Sequence, residues 1–178
     1  MFASTAVTAV ERSTRRPGDD VVDPADVVMD RAIDVTAAPE AVWPWIVQLG
    51  KQRGGWYLTR RVEHVVPRSR RALRHVDPRW QGVVVGDVVP DWGGADATFR
   101  VLSLDPGRSL VYGSQRGRTD LTWSITLEPT VSGTRIFFRL RLAPVRRRWL
   151  ANSLGEFFDA LTITGLAGGL RERLPRSA

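Results

Sequence analysis

Between Val27 and Thr36 apolar and polar residues alternate. Met29, Ile33 and Val35 fall on one face and Asp30 and Asp34 on the other, the period-two pattern of a half-buried strand. At Pro39 the period changes. A proline in the first turn starts a helix readily, because the amide it lacks would be unpaired there. Val42, Ile46 and Leu49 then recur at helical spacing, and Trp43 and Trp45 widen the apolar surface almost all the way round. Pro44 falls inside that helix and predicts a kink, since it cannot donate to the carbonyl of Glu40. Gly50 and Gly54-Gly55 interrupt the pattern, and a second apolar-aromatic turn is expected from Trp56 to Val66. Two short helices of this kind after the first strand make a clamp rather than a surface element.

Pro67 to Arg79 reads as a basic connector, in which Pro78 bars a long helix. An antiparallel meander is expected beyond it. Val83 to Pro90 is β-branched with a turn or bulge at Gly86-Asp87, and Asp91-Trp92-Gly93-Gly94 is a loop. Thr98 to Leu104 leads through the turn Asp105-Pro106-Gly107 into Ser109 to Tyr112. From Thr119 to Pro129 the alternation is regular: Leu121, Trp123, Ile125 and Leu127 should face inward, with Thr122, Ser124, Thr126 and Glu128 in water. After Ser132-Gly133, Ile136, Phe138, Leu140 and Leu142 should face in against Arg135, Arg139 and Arg141. A sheet with a solvated outer face needs a cover on its inner one. The last element supplies it, a helix from Arg147 or Trp149 to about Arg173, with Leu150, Leu154, Phe157, Phe158, Leu161, Leu166 and Leu170 as its stripe. That helix carries Gly155, Gly165, Gly168 and Gly169, each costing about 1 kcal/mol against alanine in a helix interior. Either the helix packs closely at Gly165 and Gly168, or the missing side chains leave a cavity.

At 178 residues the chain fits one domain, 26–175, preceded by a flexible tail over 1–25. There is no cysteine, which excludes disulfides and thiolate metal sites. No apolar stretch reaches the roughly 20 residues of a membrane span, and a cytoplasmic location is expected. The net charge of +7 is concentrated. Nine basic residues between Lys51 and Arg79 face only Glu63 and Asp77, an excess equal to the whole net charge. An anionic lipid or phosphate surface would fit. Arginine usage throughout the chain, with Lys51 the one lysine, favours a solvated, compositional reading. Nucleic acid is disfavoured, because only Trp80 interleaves where such binders stack several aromatics.

Several runs resemble a known family: Pro39 to Trp45, Gln48-Leu49-Gly50, Arg53-Gly54-Gly55-Trp56-Tyr57 and Glu63, then Val85-Gly86-Asp87, Pro106 to Val111 and Gly133-Thr134-Arg135. They are similar to the SRPBCC superfamily, the START/Bet v 1-like, polyketide cyclase/dehydrase and lipid transport-like proteins, over about Val27 to Leu174. The resemblance implies an α+β helix-grip fold, in which a curved antiparallel sheet wraps around a long C-terminal helix with an apolar cavity between them. One departure stands out. Related sequences often follow Trp-Tyr with a polar-aromatic-acidic run, whereas here Leu58-Thr59-Arg60-Arg61 stands in its place and leaves an acid's role there unsupported.

The aromatics carry the functional reading. Trp45, Trp56, Tyr57, Trp92, Trp123 and Phe138 can line an apolar pocket of roughly 300–1,000 Å³, with Gln48 or Tyr112 as its polar points, though tryptophans also simply fill cores. Tyr112 lies in a strand whose face is left open. Arg53 and Arg60, near the clamp, could receive a carboxylate or phosphate on the ligand. Groups able to move a proton are few: Glu63, His64, His75 and Asp159 each have a structural or exposed reading that competes. No Ser-His-Asp spacing, phosphate-binding loop or dinucleotide fingerprint is present, so neither cofactor nor metal is expected. The leading function is therefore binding of a hydrophobic small molecule (lipid, isoprenoid or polyketide-like) without catalysis. The alternative is a cyclase/dehydratase in which Tyr112, Gln48 or Glu63 polarises a carbonyl or shuttles a proton. Ranked last is a module that lays Arg146-Arg147-Arg148-Trp149 and the last helix on an anionic membrane, since Glu156 and Asp159 oppose insertion.

Overall fold

The computed structural model describes residues 5–91, 96–145 and 156–174, with side chains in the last span from Thr162 onward. The alternating stretches form strands β1 (Val27–Val35), β2 (Val88–Pro90), β3 (Thr98–Asp105), β4 (Ser109–Arg116), β5 (Thr119–Thr130) and β6 (Gly133–Ala143). They make one antiparallel sheet in the order β1-β6-β5-β4-β3-β2. Helix α1 (Ala9–Ser13) precedes the sheet, α2 (Pro39–Gln48) and the single turn α3 (Arg60–Glu63) follow β1, and α4 (Glu156–Arg171) closes the chain. Among the described residues no helix is long and apolar enough to cross a membrane. The stretch Arg146 to Leu150 and Leu154 lie outside the described residues, as do the side chains of Glu156, Phe157, Phe158, Asp159 and Leu161.

Strand phase follows the sequence pattern. Across the inner face Met29 pairs with Leu140, Leu140 with Trp123, Trp123 with Tyr112 and Tyr112 with Val101. Over this row α4 sets Ile163, Leu166 and Leu170, all buried in the same core as Ile33, Ile125 and Ile136.

The outer face is not solvated as expected. Thr122 and Ser124 are buried, whereas Leu121 and Trp123 are half-buried. The cover is the N-terminal segment expected to be a flexible tail, which is docked from Thr5 onward. Arg139, in the outer row with Asp30 and Ser124, holds it. Its guanidinium donates to Asp30 Oδ1 at 2.6 Å, to Asp19 Oδ2 at 2.8 Å, and to the carbonyls of Arg12 and Thr14 at 2.8 and 2.9 Å. Arg16 lies 3.6 Å over the ring of Phe137, and Arg135 pairs with Glu11 at 2.6 Å. Gly18 is required where the segment crosses β4. Its φ is +87°, and a Cβ there would meet Val111 Cγ1 at 2.6 Å.

Three further expectations change. The turn Val84–Asp87, closed by Val84 N–H donating to Asp87 Oδ2 at 3.0 Å, leaves β2 with only its last three residues. The second clamp helix shrinks to α3, because Tyr57–Thr59 runs extended beneath α4. The glycines of α4 serve that contact and leave no cavity. A Cβ on Gly168 would lie 2.7 Å from Thr59 Cγ2, and one on Gly169 only 2.5 Å from Leu58 N.

Candidate ligand cavity

Between these layers lies a cavity of about 230 Å³, smaller than the sequence suggested. Leu49 and Gly50, at the end of α2, form one side together with Trp56. The sheet contributes Phe99, Tyr112, Trp123 and Leu140 from four adjacent strands, and α4 contributes Thr162 and Ile163. Val89, Pro90 and Asp91 form the rim at the sheet edge, where Asp91 is ion-paired to Arg116. Trp123 is the centre of the wall. Its ring lies 5.8 Å from Tyr112 at 22°, 6.3 Å from Trp56 at 26° and 6.5 Å from Phe138 at 22°, all within the range of favourable ring pairs. Phe99 adds a tilted ring 5.9 Å away. Trp56 Nε1–H donates to the carbonyl of Thr162 at 3.2 Å, which ties the clamp side of the wall to the helix side.

The fold, a six-stranded antiparallel sheet gripping a C-terminal helix, recurs among solved structures. A Chromobacterium violaceum protein superposes with a TM-score of 0.51 at 16% identity, over 85% of this chain and 98% of its own. A Rhodobacter sphaeroides protein gives 0.51 at 13% identity, over 85% and 93%. The fold is a helix grip. A polyketide cyclase-like protein from Corynebacterium glutamicum is a looser likeness, with a TM-score of 0.42 at 15% identity over 86% and 91%. No family profile and no curated protein sequence matches the chain.

Within this helix grip the expected site residues divide. Trp56, Tyr112 and Trp123 line the cavity, and Tyr112 faces inward. Phe138 is buried one layer behind Trp123. Trp45 and Tyr57 lie outside the lining. They meet edge to face at 5.5 Å, and Tyr57 donates its hydroxyl to the Trp45 carbonyl at 2.8 Å. Gln48 is fully buried, but its amide is occupied: Nε2 donates to the His75 carbonyl at 3.1 Å, and Oε1 accepts from Asp77 N at 2.9 Å. It fastens the basic connector to α2 and is not among the residues that line the cavity. Arg53 donates to the carbonyls of Val47 and Trp80 at 2.9 and 3.3 Å and sits behind Gly50. Trp92 lies outside the described residues. Phe99, Val89 and Leu140 were missed as lining residues, although Phe99 and Val101 share the inward phase of β3 that alternation assigns.

The titratable groups are mostly committed elsewhere. Glu63 is buried against Arg74 at 2.6 Å and Arg173 at 2.5 Å. Burial pushes its carboxyl pKa up, but the hydrogen bonds from Arg173 and Arg74 outweigh this and hold it below the usual range. Arg173 also donates to the carbonyls of Leu58, Leu73 and Gly169, so Glu63 anchors the end of α4. His64, His75 and Arg60 are exposed. Within the basic segment, Arg71 holds the carbonyls of Val66 and His64 and Arg79 pairs with Asp77, while Arg61, Arg68 and Arg70 face solvent. Among the described residues no group of three His, Asp or Glu side chains gathers where it could hold a metal. Burial pushes the Tyr112 hydroxyl up to about 12, against the opposing charge of Arg53, so it remains a protonated donor near neutral pH.

Proposed function

We propose that the protein binds a small hydrophobic molecule in the cavity between the sheet and α4. The observation that carries this reading is the wall itself: the rings of Trp56, Trp123, Phe99 and Tyr112 line a cavity of about 230 Å³. Apolar cavities of this kind take up apolar guests without rearrangement. Binding without catalysis is supported by the disposition of the proton-carrying groups. Glu63 is locked between two arginines, Asp91 is held by Arg116, and Tyr112 is kept protonated. A general acid or base needs a pKa near the working pH.

The test is uptake of an uncharged aromatic probe. Naphthalene should saturate at one molecule per chain in equilibrium dialysis. Leu140→Trp, at a half-buried position on the wall, should weaken that uptake by about tenfold or more, which is about 1.4 kcal/mol, with little change in melting temperature. Uptake that ignores Leu140→Trp, or no uptake at all, contradicts this reading.

A further inference from the structure

The ring of Tyr112 forms part of the cavity wall, yet its hydroxyl is buried without a hydrogen-bond partner. Nε of Arg53 is likewise buried and unpartnered. The two belong to one place. Gly50 lines the cavity, and a Cβ built on it would lie 3.4 Å from Arg53 Cδ, so the Arg53 side chain runs directly behind the wall at that point. Its charge is also the one that acts on the Tyr112 hydroxyl. Buried donors are nearly always paired, because an unpaired one forfeits its hydration without compensation. Two such donors beside one cavity indicate an acceptor that arrives with the guest.

The wall restricts the rest of the guest. An apolar cavity of about 150 Å³ takes up benzene, so one of about 230 Å³ suits two fused rings better than a long acyl chain. The ring faces of Trp56 and Tyr112 lie within 26° of parallel to Trp123, a lining that matches a flat molecule.

Resting on the proposed binding function, we propose that the ligand is a flat fused-ring molecule bearing one hydrogen-bond-accepting oxygen, carbonyl or carboxylate, which Tyr112 receives with the Arg53 charge behind it. The Tyr112 hydroxyl donates, and the Arg53 charge behind the wall favours an oxygen that carries negative charge.

Calorimetric titration of the full chain at neutral pH with four probes tests this: naphthalene, 2-acetylnaphthalene, 2-naphthoate and myristate. At least one of the two oxygenated probes should bind about tenfold more tightly than naphthalene, the increment of one charge-assisted hydrogen bond. Preference for the ketone identifies a carbonyl, and preference for 2-naphthoate a carboxylate. Tyr112→Phe should remove that increment, so that on this variant the oxygenated probes bind no more tightly than naphthalene, and should leave the melting temperature equal or higher, since the hydroxyl has no partner to lose. Equal affinity for naphthalene and both oxygenated probes overturns the inference but leaves the cavity function standing. So does an increment that survives Tyr112→Phe, or tightest binding to myristate. Failure of all four probes overturns both.

Discussion

Replacing Arg139 with methionine should lower stability by about 3–5 kcal/mol, the usual consequence of removing one partner from a buried ion pair. The side chain is 4% exposed and neutralises Asp30 and Asp19, themselves 7% and 10% exposed. Burial works against its charge, but the hydrogen bond to Asp30 and the charges of Asp30 and Asp19 offset this and raise its pKa. Methionine keeps the apolar stem and removes the guanidinium, which strips buried Asp30 of its ion pair, leaves Asp19 only the longer one to Arg141, and releases the carbonyls at the end of α1. The effect should be read in two ways. Urea unfolding gives the stability, and trypsin cleavage after Arg12 or Arg15 reports release of the N-terminal segment. Arg141→Met, whose pairs with Asp23 and Asp19 are longer at 3.2 and 3.7 Å, should cost less than Arg139→Met. An Arg139→Met protein that is equally stable and equally resistant to trypsin would show that the segment is not held as described.

Gly169→Ala should be destabilising by about 3 kcal/mol, at the upper end of overpacking costs, although alanine is favoured over glycine in a helix by about 1 kcal/mol. The new methyl carbon would lie 2.3 Å from the carbonyl carbon of Tyr57 and 2.5 Å from Leu58 N, backbone atoms that cannot turn aside. Gly165→Ala is the internal comparison. There the methyl meets only Leu58 Cδ2, at 2.9 Å, the end of a flexible side chain, so the change should be close to neutral. Since α4 also carries Thr162 and Ile163 into the cavity wall, pushing it outward at Gly169 should weaken naphthalene uptake as well. Equal stability of the two variants in thermal unfolding would mean that α4 does not approach Tyr57–Thr59 this closely.

Strand phase was legible, because alternation is local: Trp123 and Ile125 face in and Ser124 faces out, as their spacing requires. The burial of Ser124 was not legible. It depends on Arg139 reaching Asp30 and Asp19, 109 and 120 positions away in the chain, and the outward arginines of β6 look the same whether they meet water or a docked segment. The clamp was found through its tryptophans, but a helix apolar on all sides shows only that it is buried, not which side is hollow. Hence Trp45 and Gln48 fell into the scaffold, while Trp56, just past the glycines, reached the cavity. The glycines of α4 admitted two readings because the deciding surface is the backbone of Tyr57–Thr59, and the apolar pattern there suggested a helix instead of an extended strap. Phe99 was available from the phase of β3. Leu49 and Gly50 become lining residues only through the way α2 ends against the sheet.

An apolar guest in the proposed site would lie against Trp56 and Trp123. The indole N–H signals of the 15N-labelled protein, assigned by single Trp→Phe variants and followed during titration with naphthalene, test it most directly. The Trp56 and Trp123 signals should move together and saturably, while those of Trp45 and Trp80 stay in place. Movement confined to Trp80, or no movement of Trp56 and Trp123 at saturating naphthalene, would contradict it.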